Sequence, residues 1–184
     1  IYERHSRRHH KEVKWEDVVT MYIESNGPLS RSGQFTPPRR KGIQQGGNIG
    51  HSPTFGFSAQ VAEVNIDLET GKVNVEKITE AGDCGQPINP MNVEGQVHGS
   101  IQMGMGQALY EEMQIAPDGR FLNPSLHDYK IPTIRDMPKI DANIVEAYDP
   151  SAPYGGKESG EGPIQPTAPA IFNAVYDAIG VRFT

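Results

Sequence analysis

A chain of 184 residues with a formal net charge of −6 and an isoelectric point near 5.5 suits one domain, or one and a fraction, with room for a core, and its acidity argues against nucleic acid as the main partner, because phosphate binding needs an excess of Lys and Arg. Only 36% of residues are hydrophobic, mean hydropathy is −0.54, and 20 Gly with 15 Pro commit much of the chain to loop and turn, as in a loop-rich piece that packs on something else. The single cysteine, Cys84, excludes an intrachain disulfide framework and any zinc or iron–sulfur cluster held by this chain alone; with no run of transmembrane length and no signal-peptide pattern, the expected setting is the cytoplasm.

The start carries a basic run, Arg4, His5, Arg7, Arg8, His9, His10, Lys11 and Lys14. His5 and His9 stand one helical turn apart, as a metal pair does, but no Cys or acidic third ligand follows at metal spacing, so the run reads as a solvated face or disordered start and no metal site is assigned. Trp15 to Glu24 fits a short helix or a strand, ended by Asn26-Gly27-Pro28. Residues 30–53 read as a long loop in which Arg39, Arg40 and Lys41 can either meet a phosphate or stay solvated. From Phe55 the period becomes two: Ala62, Val64 and Ile66 share one face, Glu63, Asn65 and Asp67 the other. A turn over 68–72 and a return strand over 73–78 complete a β-hairpin, and Gly82 to Gly85 leads out of it.

Asn89-Pro90 is a helix start, and Val93, Val97, Ile101, Met105, Ala108 and Leu109 form a stripe that carries the helix to near Met113. Gly95 and Gly99 lie one turn apart beside the stripe with Gln96 between them; this spacing fits either close helix packing or approach of a ligand to the Gln96 amide. After the turn at Pro117 to Arg120, Tyr129 to Thr133 reads as extended and Ile140 to Ala147 as a strand. With no βαβ period and no internal repeat, the class is α+β. A glycine loop follows, Tyr154-Gly155-Gly156-Lys157-Glu158-Ser159-Gly160-Glu161-Gly162-Pro163, and then a helix over Thr167–Ile179 with Thr167 as N-cap, Pro169 in the first turn and Gly180 as stop. Glu161 between two glycines is either a solvated turn or a held carboxylate fit for general acid/base work.

Five motifs in order, Gly85-Gln86-Pro87-Ile88-Asn89-Pro90, Glu94-Gly95-Gln96-Val97-His98-Gly99, Gly104-Met105-Gly106 with Glu111-Glu112, Tyr129-Lys130-Ile131-Pro132, and Lys157 through Glu161 with the closing helix, resemble the xanthine oxidase family of molybdenum enzymes. The likeness runs from about Gly50 to Arg182 and is to the C-terminal part of the molybdenum-binding subunit, dividing the chain into a basic, loop-rich region over 1–49 and a cofactor-binding part over 50–184. Asp83-Cys84-Gly85 and Met103-Gly104-Met105-Gly106, where many members place Gln at the Met103 position, favour the branch of the 4-hydroxybenzoyl-CoA reductase large subunit.

The resemblance implies that Glu161 is the general base, that Gln96 hydrogen-bonds the cofactor, and that Gly95, Gly160 and Gly162 leave room for it, whereas Lys157 and Glu158 are structural, Lys157 pairing with a nearby carboxylate. The implied cofactor is molybdenum–molybdopterin in its cytosine dinucleotide form. An upstream molybdenum-binding region, an iron–sulfur protein with 2Fe–2S clusters and an FAD subunit are the implied partners, without which this chain is inactive. The implied chemistry is hydroxylation of an aromatic or heteroaromatic carbon with water, or reductive dehydroxylation of an aromatic acyl-CoA. A noncatalytic assembly fragment of such a complex is the alternative, and a nucleic-acid binder built on residues 1–14 conflicts with the net charge.

Overall fold

The computed structural model describes residues 13–36 and 54–183. Compactness divides the chain into residues 1–36 and 37–184. The basic run ahead of Val13, the Arg39-Arg40-Lys41 cluster and the expected division at residue 49 lie outside the described residues.

In the first unit, α1 (Trp15–Asn26) settles the helix-or-strand choice. Glu16 and Asp17 sit in its first turn, where the helix dipole favours negative charge, and Gly27 at φ 78° ends it with its N–H on the Ile23 carbonyl. Val18 and Val19 are half-buried and no residue of the helix is fully buried.

The second unit is built on a three-stranded sheet in the order β1 (Ser58–Ile66), β2 (Val73–Asp83), β3 (Lys139–Val145). β1 and β2 form the expected antiparallel hairpin, from Ile66 opposite Val73 to Ser58 opposite Gly82. Asp67 organises its turn by accepting from the Glu69 amide at 2.9 Å and the Thr70 hydroxyl at 2.7 Å, which holds its carboxyl below the ordinary value. Between the Glu63–Lys77 and Val64–Val75 pairs β2 carries one extra residue, Glu76, so its inward positions shift from Val73 and Val75 to Ile78 and Glu80. β2 continues to Asp83, beyond the expected end at Ile78, because it is paired on both sides there, with β1 as far as Ser58 opposite Gly82 and in parallel with β3 from Lys77–Lys139 to Asp83–Val145. β3 ends at Val145, two residues before the expected Ala147.

Two helices pack on the sheet, α2 (Pro90–Leu109) and α3 (Thr167–Ile179), and the architecture is α+β. Ile78, Val97, Ile101, Met105, Ile171 and Val175 form the buried core, with Ala62, Val64, Ile66 and Ile140 of the sheet packed against it. Asn89 caps α2 as expected, its side chain accepting from the Asn92 amide at 3.1 Å. The helix stops at Leu109, short of Met113. The Gly106 carbonyl takes both the Tyr110 and Glu111 amides, and the Glu111 carboxylate fills the space of a Gly106 side chain while accepting from the Tyr129 hydroxyl at 2.8 Å. Gln102 adds a hydrogen bond to the Pro132 carbonyl at 3.1 Å, so two of the familiar motifs are one structural clasp. Gly104 packs on α3, where an added Cβ would meet Thr167 Cβ at 2.5 Å. Pro166, not Thr167, occupies the N-cap of α3, because the Thr167 hydroxyl is shared between Gln60 Oε1 at 2.8 Å and the Pro163 carbonyl at 2.9 Å; Gly180, at φ 70°, is the stop. Among the described residues no helix is long and apolar enough to cross a membrane.

Candidate functional site

The glycine loop is fastened to the end of β2. Gly85 and Gly156 bridge, the Lys157 amide donates to the Cys84 carbonyl at 2.7 Å and the Gln86 amide to the Gly155 carbonyl at 2.8 Å. Gly85 (φ 64°) must be glycine here, since a Cβ would collide with the Gly155 carbonyl. Lys157 Nζ lies 2.6 Å from Asp83 Oδ2, with the two side chains only 8% and 10% exposed. Burial by itself raises the Asp83 carboxyl, but the hydrogen bond from Lys157, the Gly85 amide and the Lys157 charge outweigh it and leave the group below its ordinary value. Lys157 thus has the structural role expected of it, and Asp83 is its carboxylate.

Beyond Lys157 the chain makes a second turn. Glu158 Oε2 accepts the Glu161 amide at 3.1 Å, its Oε1 lies 2.8 Å from where a Gly162 Cβ would be, and the Ile164 amide returns to the Glu161 carbonyl at 3.2 Å. Within this chain, then, the room left by Gly162 is taken by Glu158. The backbone of Glu161 is fixed while its side chain is exposed, on a cleft of about 450 Å³ lined also by Gly56, Ser58, Glu158, Gln165 and Pro166.

Helix α2 grips the same loop from the other side. The Ser100 hydroxyl donates to the Gly160 carbonyl, and one turn earlier Gln96 Oε1 lies 3.1 Å from the position of a Gly160 Cβ. Gln96 is exposed on a second cleft of about 360 Å³, lined by Gln86, Asn92, Gly156, Lys157 and Ser159 among others. Gln96 and Glu161 therefore stand on either side of Gly160, in neighbouring clefts. Among the described residues nothing lies within 4 Å of a Cβ added at Gly95 or Gly99, in contrast to the packed Gly104 and Gly106.

This donor set, an accessible amide, an accessible carboxylate and glycine backbone open to approach, fits an organic ligand with hydrogen-bonding edges. Among the described residues no group of three His, Cys, Asp or Glu is placed to hold a metal ion. Sequence reasoning missed Ser100, Gln60 and Glu80. The last two had a signal: they are polar residues at inward strand positions, in line with Ala62 and Ile78.

The family described as molybdopterin cofactor-binding domain matches residues 2–138. The xanthine dehydrogenase molybdenum-binding subunit of Escherichia coli O157:H7 is 45% identical over 130 residues, 70% of this chain and 17% of that protein. Among solved structures, quinoline 2-oxidoreductase from Pseudomonas putida 86 superposes with a TM-score of 0.61 at 38% identity, over 64% of this chain and 15% of that one. Reconstituted CO dehydrogenase from Oligotropha carboxidovorans gives 0.65 at 34% identity, over 69% and 16%. The chain thus spans only about a sixth of the length of the relatives it matches.

Proposed function

The chain belongs to the molybdopterin cofactor-binding domain family of xanthine dehydrogenase and CO dehydrogenase molybdenum-binding subunits, and on that premise we propose that it forms one wall of the active site of a molybdenum-dependent oxidoreductase. The observation that carries the proposal is Glu161, whose amide is anchored by Glu158 while its exposed side chain lines a cleft. A carboxylate on a fixed backbone with open access suits a general base, and in this reading Glu161 accepts the proton of the attacking water-derived oxygen. When bound, the molybdenum cofactor supplies the two-electron acceptor and the Lewis acidity of the reaction. Gln96 donates to and accepts from the cofactor's polar edge, Gly95 and Gly160 let that edge approach, and Gly162 leaves Glu158 free to hold the Glu161 turn.

We assign an aromatic or heteroaromatic substrate hydroxylated with water, supported by likeness to a xanthine dehydrogenase subunit and a quinoline oxidoreductase. Reductive dehydroxylation of an aromatic acyl-CoA is the second reading; it rests on Met103, which lies 46% exposed on α2. The cofactor is taken to be the cytosine dinucleotide form, and the upstream molybdenum-binding region, an iron–sulfur subunit and an FAD subunit are the proposed partners. Substrate walls and electron transfer come from them.

Molybdenum analysis of the purified complex tests the proposal: about one metal per assembly is expected, and none after cofactor-replete expression would leave the assembly-fragment reading standing. A turnover panel of purines, quinolines, aldehydes and aromatic thioesters then separates the two substrate readings. Gln96→Ala should weaken cofactor retention about five- to tenfold, the value of one hydrogen bond, with turnover per bound molybdenum little changed. Unaltered molybdenum content on dilution and dialysis would remove Gln96 from the cofactor's contacts.

A further inference from the structure

Beneath the Glu161 turn the sheet carries buried polar side chains that the proposed reaction does not use. Glu80 is 0% exposed. Its Oε1 accepts from the Ser58 hydroxyl at 2.6 Å, and among the described residues its Oε2 makes no hydrogen bond. Burial pushes the Glu80 carboxyl up, and hydrogen bonds with Ser58 and Gln60 draw it only part of the way back. Gln60 stands directly opposite Glu80 across the hairpin, donates to the Pro163 carbonyl at 2.7 Å, and accepts from the Thr167 hydroxyl at 2.8 Å. Pro163 lies two residues after Glu161, inside the turn that the Ile164 amide closes onto the Glu161 carbonyl.

Placing these groups inward costs desolvation that an apolar pair at the same positions, continuing the row of Ala62 and Ile78, would avoid. What the polar pair supplies is direction. The outward-reaching bonds of Gln60 converge on one object, the junction between the Glu161 turn and α3, and Ser100 and Glu158 hold the same turn from two other sides. A hydrophobic contact would bury Pro163 without fixing its rotation; a hydrogen bond to its carbonyl fixes the peptide plane, and with it the direction in which Glu161 projects.

We propose that Gln60, oriented by Glu80 and Ser58, is a positioning residue that pins the Pro163 carbonyl to the sheet and so aims the Glu161 carboxylate. This deepens, and rests on, the assignment of Glu161 as the base. Removing the pin loosens the turn without touching substrate or cofactor.

In the holoenzyme complex, Gln60→Leu should lower kcat about 10- to 100-fold, the span for a reacting group displaced by about 1 Å, with KM and molybdenum content within about twofold of wild type. Hydrogen exchange at the Ile164 amide, which reads the turn independently of chemistry, should quicken about fivefold or more. Glu80→Gln, isosteric and neutral, should preserve both readouts, and Glu80→Leu should reproduce the Gln60→Leu pattern. Should Gln60→Leu not accumulate, Gln60→Met keeps the length of the side chain and is read in the same way. Unchanged Ile164 exchange in the Gln60 variant, or a kcat loss matched by loss of molybdenum, overturns the proposal. Glu161→Gln measured alongside tests the base itself, so failure of the pin and failure of the base are told apart.

Discussion

Glu161→Gln in the complete enzyme is expected to lower turnover by about 10²- to 10⁴-fold, the usual span for a removed general base, while molybdenum content and substrate affinity stay near normal. The structure makes this variant clean. The Glu161 amide and carbonyl, not its side chain, hold the turn, through Glu158 and Ile164, so an amide in place of the carboxylate leaves the backbone scaffold intact. On the proposed assignment only proton acceptance is lost. Retained turnover at full metal loading would end the assignment, and a loss of metal parallel to the loss of turnover would make Glu161 a structural residue.

The second large effect belongs to the Asp83–Lys157 pair. Lys157→Met leaves the Asp83 carboxylate buried without its cation, and removing one member of a buried pair costs about 3–5 kcal/mol, read as a fall in the urea midpoint of the holoenzyme complex. Replacing both residues, as Asp83→Leu with Lys157→Met, should recover most of that loss, because two desolvation penalties vanish with the attraction. The pH dependence has a definite sign. Asp83 has a lowered value in the folded state, so its contribution is complete above the unfolded carboxylate value of about 4 and is lost as pH falls through the lower folded value. Asp83→Asn should therefore flatten the acid limb of stability; an unchanged limb would show that other carboxylates govern it.

The hairpin, the Asn89 cap and the Gly180 stop were legible in the sequence because each is a local rule: two-residue alternation, a side-chain oxygen ahead of Pro90, a residue at ease with positive φ. The departures came where distant partners decide. β2 outruns the expected end at Ile78 because β1 and β3 both pair with it beyond that point, and Glu76 is absorbed as a bulge that no composition announces. Thr167 surrenders its capping role because Gln60, more than a hundred residues earlier, claims its hydroxyl. Met113 falls outside α2 because Glu111 turns back to Gly106 and Tyr129. At the proposed site, the order of motifs singles out Glu161 and Gln96 only by resemblance, whereas their places in two clefts on either side of Gly160, and the grip of Ser100 on that glycine, depend on three-dimensional packing.

The parallel pairing of β3 with β2 also bears on when the site can come into being. The hairpin closes over a handful of residues, whereas β3 can dock only after the whole stretch from Cys84 to Pro138 has folded back on itself, and entropy makes such long-range closure the slow event. The loop bearing Glu161 follows β3 and is stapled to Cys84 and Asp83, so it cannot be set before that docking. Pulse-labelled exchange during refolding should accordingly protect β1 and β2 ahead of Lys157, making Glu161 one of the last parts of the sheet end to acquire its place.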